Sequence, residues 1–327
     1  VDSSVAFRRR WGNDAKGRSA WERGRVLASL AVVVAGLLAL HSAVPNAVGR
    51  PGSLLETFLP WLGLAVPVLL GLALLRRSVA ALLALLLPAA AWFGLFGGLM
   101  LPGEEGAHDL IALQHNVSDE NTDPAGTARA LLSAQPDFIA LEELTPSALP
   151  FYAAALAPDY PHHTVQGTVG FWSKYPLADV RPLDIKPEGI GPGWNRGLRA
   201  GVRMPEGEVA VYVAHLPSVR IGLKDGFSSA RRDESAVRLG AAVAAEPLDQ
   251  VILLGDLNST VDDRGLDPVA SQMNNAEMGP GFAFSWPAAF PVARIDQIMT
   301  RSATVTKVWS LPATGSDHLP VAARIRL

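Results

Sequence analysis

Three apolar runs constrain the chain more than any other feature. Val26 to about Val44, FLPWLGLAVPVLLGLALL (58–75) and SVAALLALLLPAAAWFGLFGGLML (78–101) contain no Asp, Glu, Lys or Arg. About 20 helical residues cross the ~30 Å of hydrocarbon in a bilayer, so each run predicts a membrane-spanning helix. Core helices of a large soluble protein are the alternative; three uninterrupted runs in succession argue against it. A cleaved signal peptide fits poorly, because no small-residue cleavage site separates the first run from the second. Pro67 and Pro88 fall inside runs, which membrane helices tolerate when neighbours satisfy the freed carbonyl. Trp61 and Trp92 are candidate interface markers, Trp92 being rather deep for that role.

Charge sets the direction. Residues 1–25 carry Arg8, Arg9, Arg10, Lys16, Arg18, Arg23 and Arg25 against Asp2, Asp14 and Glu22, a net +4. The segment after the first run has only Arg50, whereas Arg76 and Arg77 separate the second and third runs. By the positive-inside rule the N-terminus is cytoplasmic, Arg50 is outside, Arg76 and Arg77 are inside, and everything after Leu101 is outside. The expected organisation is a basic tail (1–25), three transmembrane helices (26–101) and an extracellular domain (102–327), a multi-pass protein of the cell membrane.

The outer domain carries 18 basic and 27 acidic residues, a net −9. Nucleic-acid binders derive most of their affinity from neutralising phosphates with basic residues, so this balance argues against DNA or RNA as a partner. The chain has no cysteine, which excludes disulfides and thiolate metal sites.

From Asp109 onward short β-like runs appear: 110–117, 137–144, 169–174, 198–204, 209–216, 251–257, 294–300, 304–311 and 322–327. Helical patterns at 127–135 and 228–246 alternate with some of them, the latter opening on serines able to cap it. This predicts a strand-rich α/β domain. Polar residues recur at strand ends: Asn116, Glu142 and Glu143, His215, Asp256 and Asn258, Asp296, and the group Ser316, Asp317, His318. Singly, each has a plain reading; an Asp after Gly is usually a turn residue. In VILLGDLN the apolar run should be core, with Asp256 and Asn258 on one side because residues two apart on an extended chain face the same way.

Taken in order, these motifs resemble the endonuclease/exonuclease/phosphatase superfamily. They read HN (Asn116), EE (Glu142, Glu143), AHL (His215), GDLN (Asp256, Asn258), RID (Arg294, Asp296) and SDH (Ser316 to His318). Glu142 departs from the family pattern, which more often has Gln there. The resemblance implies a four-layer α/β-sandwich, a two-sheet β-sandwich flanked by helices, following the three-helix transmembrane region. It also implies a phosphohydrolase using Mg²⁺, with Mn²⁺ able to substitute. Glu143, Asn116 and Asp317 would hold the metal. His215, Asp256, Asn258, Asp296 and His318 would be catalytic. Asp256 would orient or deprotonate water, Asn258 and the two histidines would contact phosphate oxygens, and Asp296 would fix His318. Whether Asp256 or His318 is the base stays open.

Arg196 and Arg199 could clamp a second phosphate as bidentate donors, a structural role being the alternative. Arg231 and Arg232 read as a solvated helix face, and His162 and His163 as loop residues. Trp172, Trp194, Trp286 and Phe290 could form an apolar rim or be core. Membrane runs joined to such a domain also resemble a family associated with teicoplanin resistance, which implies action on undecaprenyl-type lipid-linked phosphates. An extracellular nuclease or other phosphodiesterase, and a non-catalytic binding scaffold, are the competing classes.

Overall fold

The computed structural model describes Ser19 and residues 21–100, 107–275 and 281–327. Most of the expected basic tail lies outside the described residues. The chain divides into two units: Val1–Val44 with Phe58–Gly98, and Pro45–Thr57 with Leu99–Leu327. The segment between the first two apolar runs therefore groups with the C-terminal domain.

Among the described residues, two helices are long and apolar enough to cross a membrane, Leu59–Arg76 and Val79–Met100. The first apolar run forms a shorter helix, Arg25–Ala39, of 15 residues, ending in a single turn at His41–Ala43. That is below the ~20 residues a perpendicular crossing needs, so the structure supports two membrane-length helices where three were expected. Pro67 and Pro88 each fall in the first turn of a regular segment (Ala65–Arg76 and Leu86–Phe96), where few backbone N–H groups have a helical partner to lose. Arg77 takes a left-handed conformation (φ 49°) and Ser78 accepts the Ala81 N–H at 3.2 Å, so two residues stop one helix and cap the next. The Trp92 indole donates to the Pro60 carbonyl at 2.8 Å, which satisfies it within the helices. The apolar side chains of both long helices are mostly uncovered.

The second unit contains strands β1 (Leu110–Asn116), β2 (Phe138–Glu142), β3 (His162–Gln166), β4 (Val169–Ser173), β5 (Leu177–Pro182), β6 (Gly197–Met204), β7 (Gly207–Ala214), β8 (Ile221–Gly222), β9 (Gly226–Phe227), β10 (Val251–Asp256), β11 (Asn274–Asn275), β12 (Asp296–Arg301), β13 (Thr304–Ser310) and β14 (Val321–Arg326). Two six-stranded sheets form, ordered β13-β14-β1-β2-β4-β3 and β11-β12-β10-β7-β6-β5. Each is antiparallel except for one central pair, β1 with β2 and β10 with β7.

Alternation along the strands builds the layers. Leu110, Ala112, Phe138, Ala140, Leu198, Ala200, Val211, Val213, Ile252, Leu254 and Ile298 fill the space between the sheets. Residues of opposite parity face outward. Leu113, Ile139 and Leu141 pack with Leu131, Tyr152 and Leu156 of the helices Pro124–Leu132 and Leu149–Leu156. Tyr212, Leu253 and Met299 pack with Ala236, Leu239 and Val243 of the helix Ala230–Ala244. The result is the expected four-layer sandwich.

Candidate active site

One parity rule assembles the site. The inter-sheet face of β1 runs Leu110, Ala112, then Gln114 and Asn116; that of β2 runs Phe138, Ala140, then Glu142. On β10, Ile252 and Leu254 lead to Asp256; on β7, Val211 and Val213 lead to His215 just past the strand. β12 is antiparallel to β10, and its first residue, Asp296, pairs with Asp256. The C-terminal ends of β1, β2, β7 and β10 and the start of β12 thus meet at one end of the sandwich, where apolar filling gives way to polar side chains.

These side chains touch. Nδ1 of His318 lies 2.8 Å from Oδ2 of Asp296, and Gln114 Nε2 donates to the other Asp296 oxygen at 2.6 Å. Asp256 accepts the Asn116 side-chain amide at 3.0 Å and the Asn258 backbone N–H at 2.9 Å. Oδ2 of Asp256 is 3.6 Å from Nε2 of His215 and 3.8 Å from Nε2 of His318. Glu143 Oε1 stands 3.8 Å from His215 Nε2. Ser316 fixes the last loop: its hydroxyl donates to the Asn116 carbonyl at 2.6 Å and accepts the His318 N–H at 3.0 Å. Glu143 and Asn258 both have positive φ, 59° and 49°. Asn tolerates that region; Glu does so at a cost, of the kind that concentrates at functional sites.

Burial and mutual charge separate the protonation states. Burial opposes a charge on His318, but Asp296 and Asp256 outweigh it and raise the imidazole to about 10, so it is a cation at neutral pH. His215 goes the other way: burial, Arg196 and His318 hold it well below its ordinary value, so it is neutral. Asp296 stays ionised, because His318 and its hydrogen bond overcome burial. Asp256 is raised by burial and by Asp296, against the attraction of His318.

Residues 113–318, well over half of the chain, match the Endonuclease/Exonuclease/phosphatase family. The chain belongs to this family. Its fold recurs in TDP2 from D. rerio solved with a single-strand DNA product (18% identity, 67% of this chain and 99% of that one, TM-score 0.55). It recurs in a mannosyl-6-phosphatase from Bacteroides thetaiotaomicron (17%, 67% and 100%, 0.53). A beta toxin variant from Staphylococcus aureus with bound magnesium ions is also similar (17%, 66% and 99%, 0.52). No curated protein matches the sequence. The family's enzymes are metal-dependent phosphohydrolases and phosphodiesterases, and this chain is a member with its polar cluster assembled.

Of the family-motif residues expected at the site, Asn116, Glu143, His215, Asp256, Asn258, Asp296 and His318 come together. Asp317 is exposed between buried Ser316 and His318, and its charge helps hold the proton on His318. Arg196 does join, its NH1 3.3–3.4 Å from both ring nitrogens of His215 and its guanidinium over Trp194. Arg199 is a correction. It lies three residues on, hence on the opposite face, where it bonds Glu246 at 2.9 and 3.0 Å and Asp179 at 2.9 Å. Arg232 is another correction: it is buried, not solvated, whereas Arg231 is exposed. His162 and His163 lie on edge strand β3, with His163 stacked on buried Trp172. Trp286 and Phe290 are exposed. Gln114 was missed, although its position two residues before Asn116 on the same strand face was the available signal.

The donor set fits a hard divalent cation. Both carboxyl oxygens of Glu142 are buried without a hydrogen-bond partner. Burial first, then Asp296 and Asp256, push this carboxyl well above the ordinary range. Ligand atoms of Asp256, Asp296 and His318 lie within 4.8 Å of one another. Clustered oxygen donors with excess negative charge are what Mg²⁺ or Mn²⁺ selects. Glu142, with two unpartnered oxygens and the Glu143 charge beside it, would hold the ion together with Glu143, and Asn116, bonded to Asp256, would orient that carboxylate.

Proposed function

We propose that the protein is an outward-facing, membrane-anchored phosphohydrolase whose substrate is a lipid-linked phosphate of the undecaprenyl type, with Mg²⁺ as its metal. The observation that carries this reading is the coexistence, in one chain, of a phosphohydrolase cluster and two uncovered apolar helices of membrane length. An enzyme held at the bilayer meets a substrate that cannot leave it at a raised effective concentration. Membrane runs joined to such a domain resemble the family associated with teicoplanin resistance, and on that resemblance the further role would be a contribution to that resistance.

The cation, when bound, would neutralise phosphoryl charge as a Lewis acid. The chain's own groups do the rest. His318, protonated and locked by Asp296, presents Nε2 as a donor to charge developing on a phosphoryl oxygen. Asp256, its carboxylate oriented by Asn116 and the Asn258 N–H, accepts a proton from water. His215 is neutral, so its Nε2 can share in that proton network without adding charge. One Asn258 amide N–H is committed to the Leu216 carbonyl at 3.0 Å, which aims the rest of the group.

The test is phosphate release from undecaprenyl pyrophosphate by the full chain in detergent with Mg²⁺. Release should stop on chelation, and His318→Ala should lower kcat by roughly 10²-fold or more. Undiminished activity in that variant sinks the assignment. Plasmid cleavage at physiological salt with no phosphate release would favour the nuclease reading, against the net −9 of the outer domain.

A further inference from the structure

The segment between the first two apolar runs belongs to the catalytic unit, and its contacts lead to the active-site turn. Asn46 and Ser53 bond each other twice at 3.0 Å, which fixes the start of the short helix Pro51–Thr57. Phe227 N–H donates to the Gly49 carbonyl at 2.9 Å, and Gly226 packs so closely on Gly49 that no side chain fits. Glu56, buried to 1% exposure, accepts three bonds from Arg264: the backbone N–H at 3.1 Å, Nε at 2.8 Å and NH2 at 2.7 Å. Arg50 pairs with Asp233 and lies 3.2 Å from the Ser229 hydroxyl.

All three guanidinium nitrogens of buried Arg232 are engaged. Nε bonds Asp233 at 2.7 Å, NH2 bonds Asp263 at 2.6 Å, and NH1 donates to the Asn258 carbonyl at 3.0 Å. Asp263 also accepts the Gly265 N–H at 2.9 Å and lies 3.5 Å from the Thr57 hydroxyl. Three arginines (50, 232, 264) thus meet Glu56, Asp233 and Asp263, with Asp267 near enough to act on Glu56 and Arg264. A group of this kind is held only when every member is satisfied. One end of it is the inter-run segment; the other is the carbonyl of Asn258, a residue at φ 49° whose N–H orients Asp256.

We propose that Pro45–Thr57 is a built-in scaffold of the active site. Glu56, Arg50 and Arg232 act as positioning residues that hold the Asp256–Asn258 turn in its left-handed conformation. The consequence is that the segment next to the apolar helices shapes the site. A catalytic region expressed without residues 45–57 would lack Glu56 and Arg50, leaving Arg264 and Asp233 without these partners. This inference rests on the phosphohydrolase reading for its kinetic arm only.

The experiment uses the full chain in detergent with three variants: Glu56→Gln, Glu56→Arg, and the charge swap Glu56→Arg with Arg264→Glu. Hydrogen–deuterium exchange over residues 257–265 is measured beside the thermal midpoint and, on undecaprenyl pyrophosphate, kcat and KM. Both single variants should lose protection at 257–265 and lose kcat by about ten-fold with KM unchanged. The swap should restore both. Parental exchange and parental kcat in folded single variants would overturn the proposal, as would a folded swap that stays at the single-variant level. Should Glu56→Arg fail to fold, Glu56→Gln and the swap decide alone. A parent that releases no phosphate refutes the substrate reading, while the exchange arm still decides this one.

Discussion

A buried carboxyl group with nothing to bond is expensive when ionised, and Glu142 has two such oxygens beside two aspartates. In the metal-free protein the fold therefore keeps it protonated above the pH at which the unfolded chain would release the proton. The sign follows by linkage. A carboxyl raised in the folded state contributes stability that is complete below its unfolded value of 4.5 and is lost as pH rises toward its folded value. Glu142→Gln removes that loss while keeping the shape. In chelator, the variant should melt close to the parent near pH 4.5, and increasingly above it as pH rises to 8, by up to about 1.4 kcal/mol per pH unit. A gap that does not widen would mean that the folded protein ionises Glu142 as readily as the unfolded chain. Glu142 stood out in the sequence only as a departure from a family pattern. Its lack of partners depends on what β10 and β12 bring across the sandwich, which no local pattern encodes. Arg199 and Arg196 show the converse. Arg199 lies on β6 and Arg196 just before its start, three residues apart on extended chain, so they face opposite ways and could not line one site.

At the scale of the elements, the turn after β10 is where geometry is least forgiving. Gly255 has φ 151°, and a Cβ there would collide with the Ala214 carbonyl on neighbouring β7. Asp256 follows immediately, so any relief of the clash moves its carboxylate. Gly255→Ala should lower stability by about 3 kcal/mol, roughly 6–12 °C in melting midpoint, with a larger loss of kcat than of substrate affinity. An unchanged midpoint would mean that the two strands can separate locally at no cost. The strands with buried apolar faces were all legible from alternation, including β1, β2, β7 and β10. Besides the two-residue strands β8, β9 and β11, those missed were β3, half-buried at a sheet edge, and β5, with its last four residues exposed. Neither carries the apolar alternation that a buried face imposes. The helix Leu149–Leu156 was also missed; it has Pro150 in its first turn, where proline is tolerated, and no polar residue to break the apolar run.

For the whole molecule, the connectivity constrains topology independently of charge. Leu59–Arg76 and Val79–Met100 are joined by two residues, and the segments beyond their far ends, Pro45–Thr57 and Leu99–Leu327, form one unit. If the pair crosses a bilayer, it enters and returns, leaving Arg77 on one side and the catalytic unit on the other, whether or not Arg25–Ala39 crosses. In that case the positive-inside rule leads us to expect Arg76 and Arg77 in the cytoplasm and the catalytic unit outside. Because the sequence has no cysteine, single introduced thiols report without background. Leu223, fully exposed at the β8–β9 turn, is suited to one and Arg77 to the other. On intact cells a membrane-impermeant maleimide should label Leu223→Cys and should reach Arg77→Cys only after permeabilisation. The reverse pattern would put the active site in the cytoplasm and remove outward-facing lipid phosphates from its reach. Labelling of both on intact cells would mean that the two helices do not form a crossing pair and do not anchor the protein.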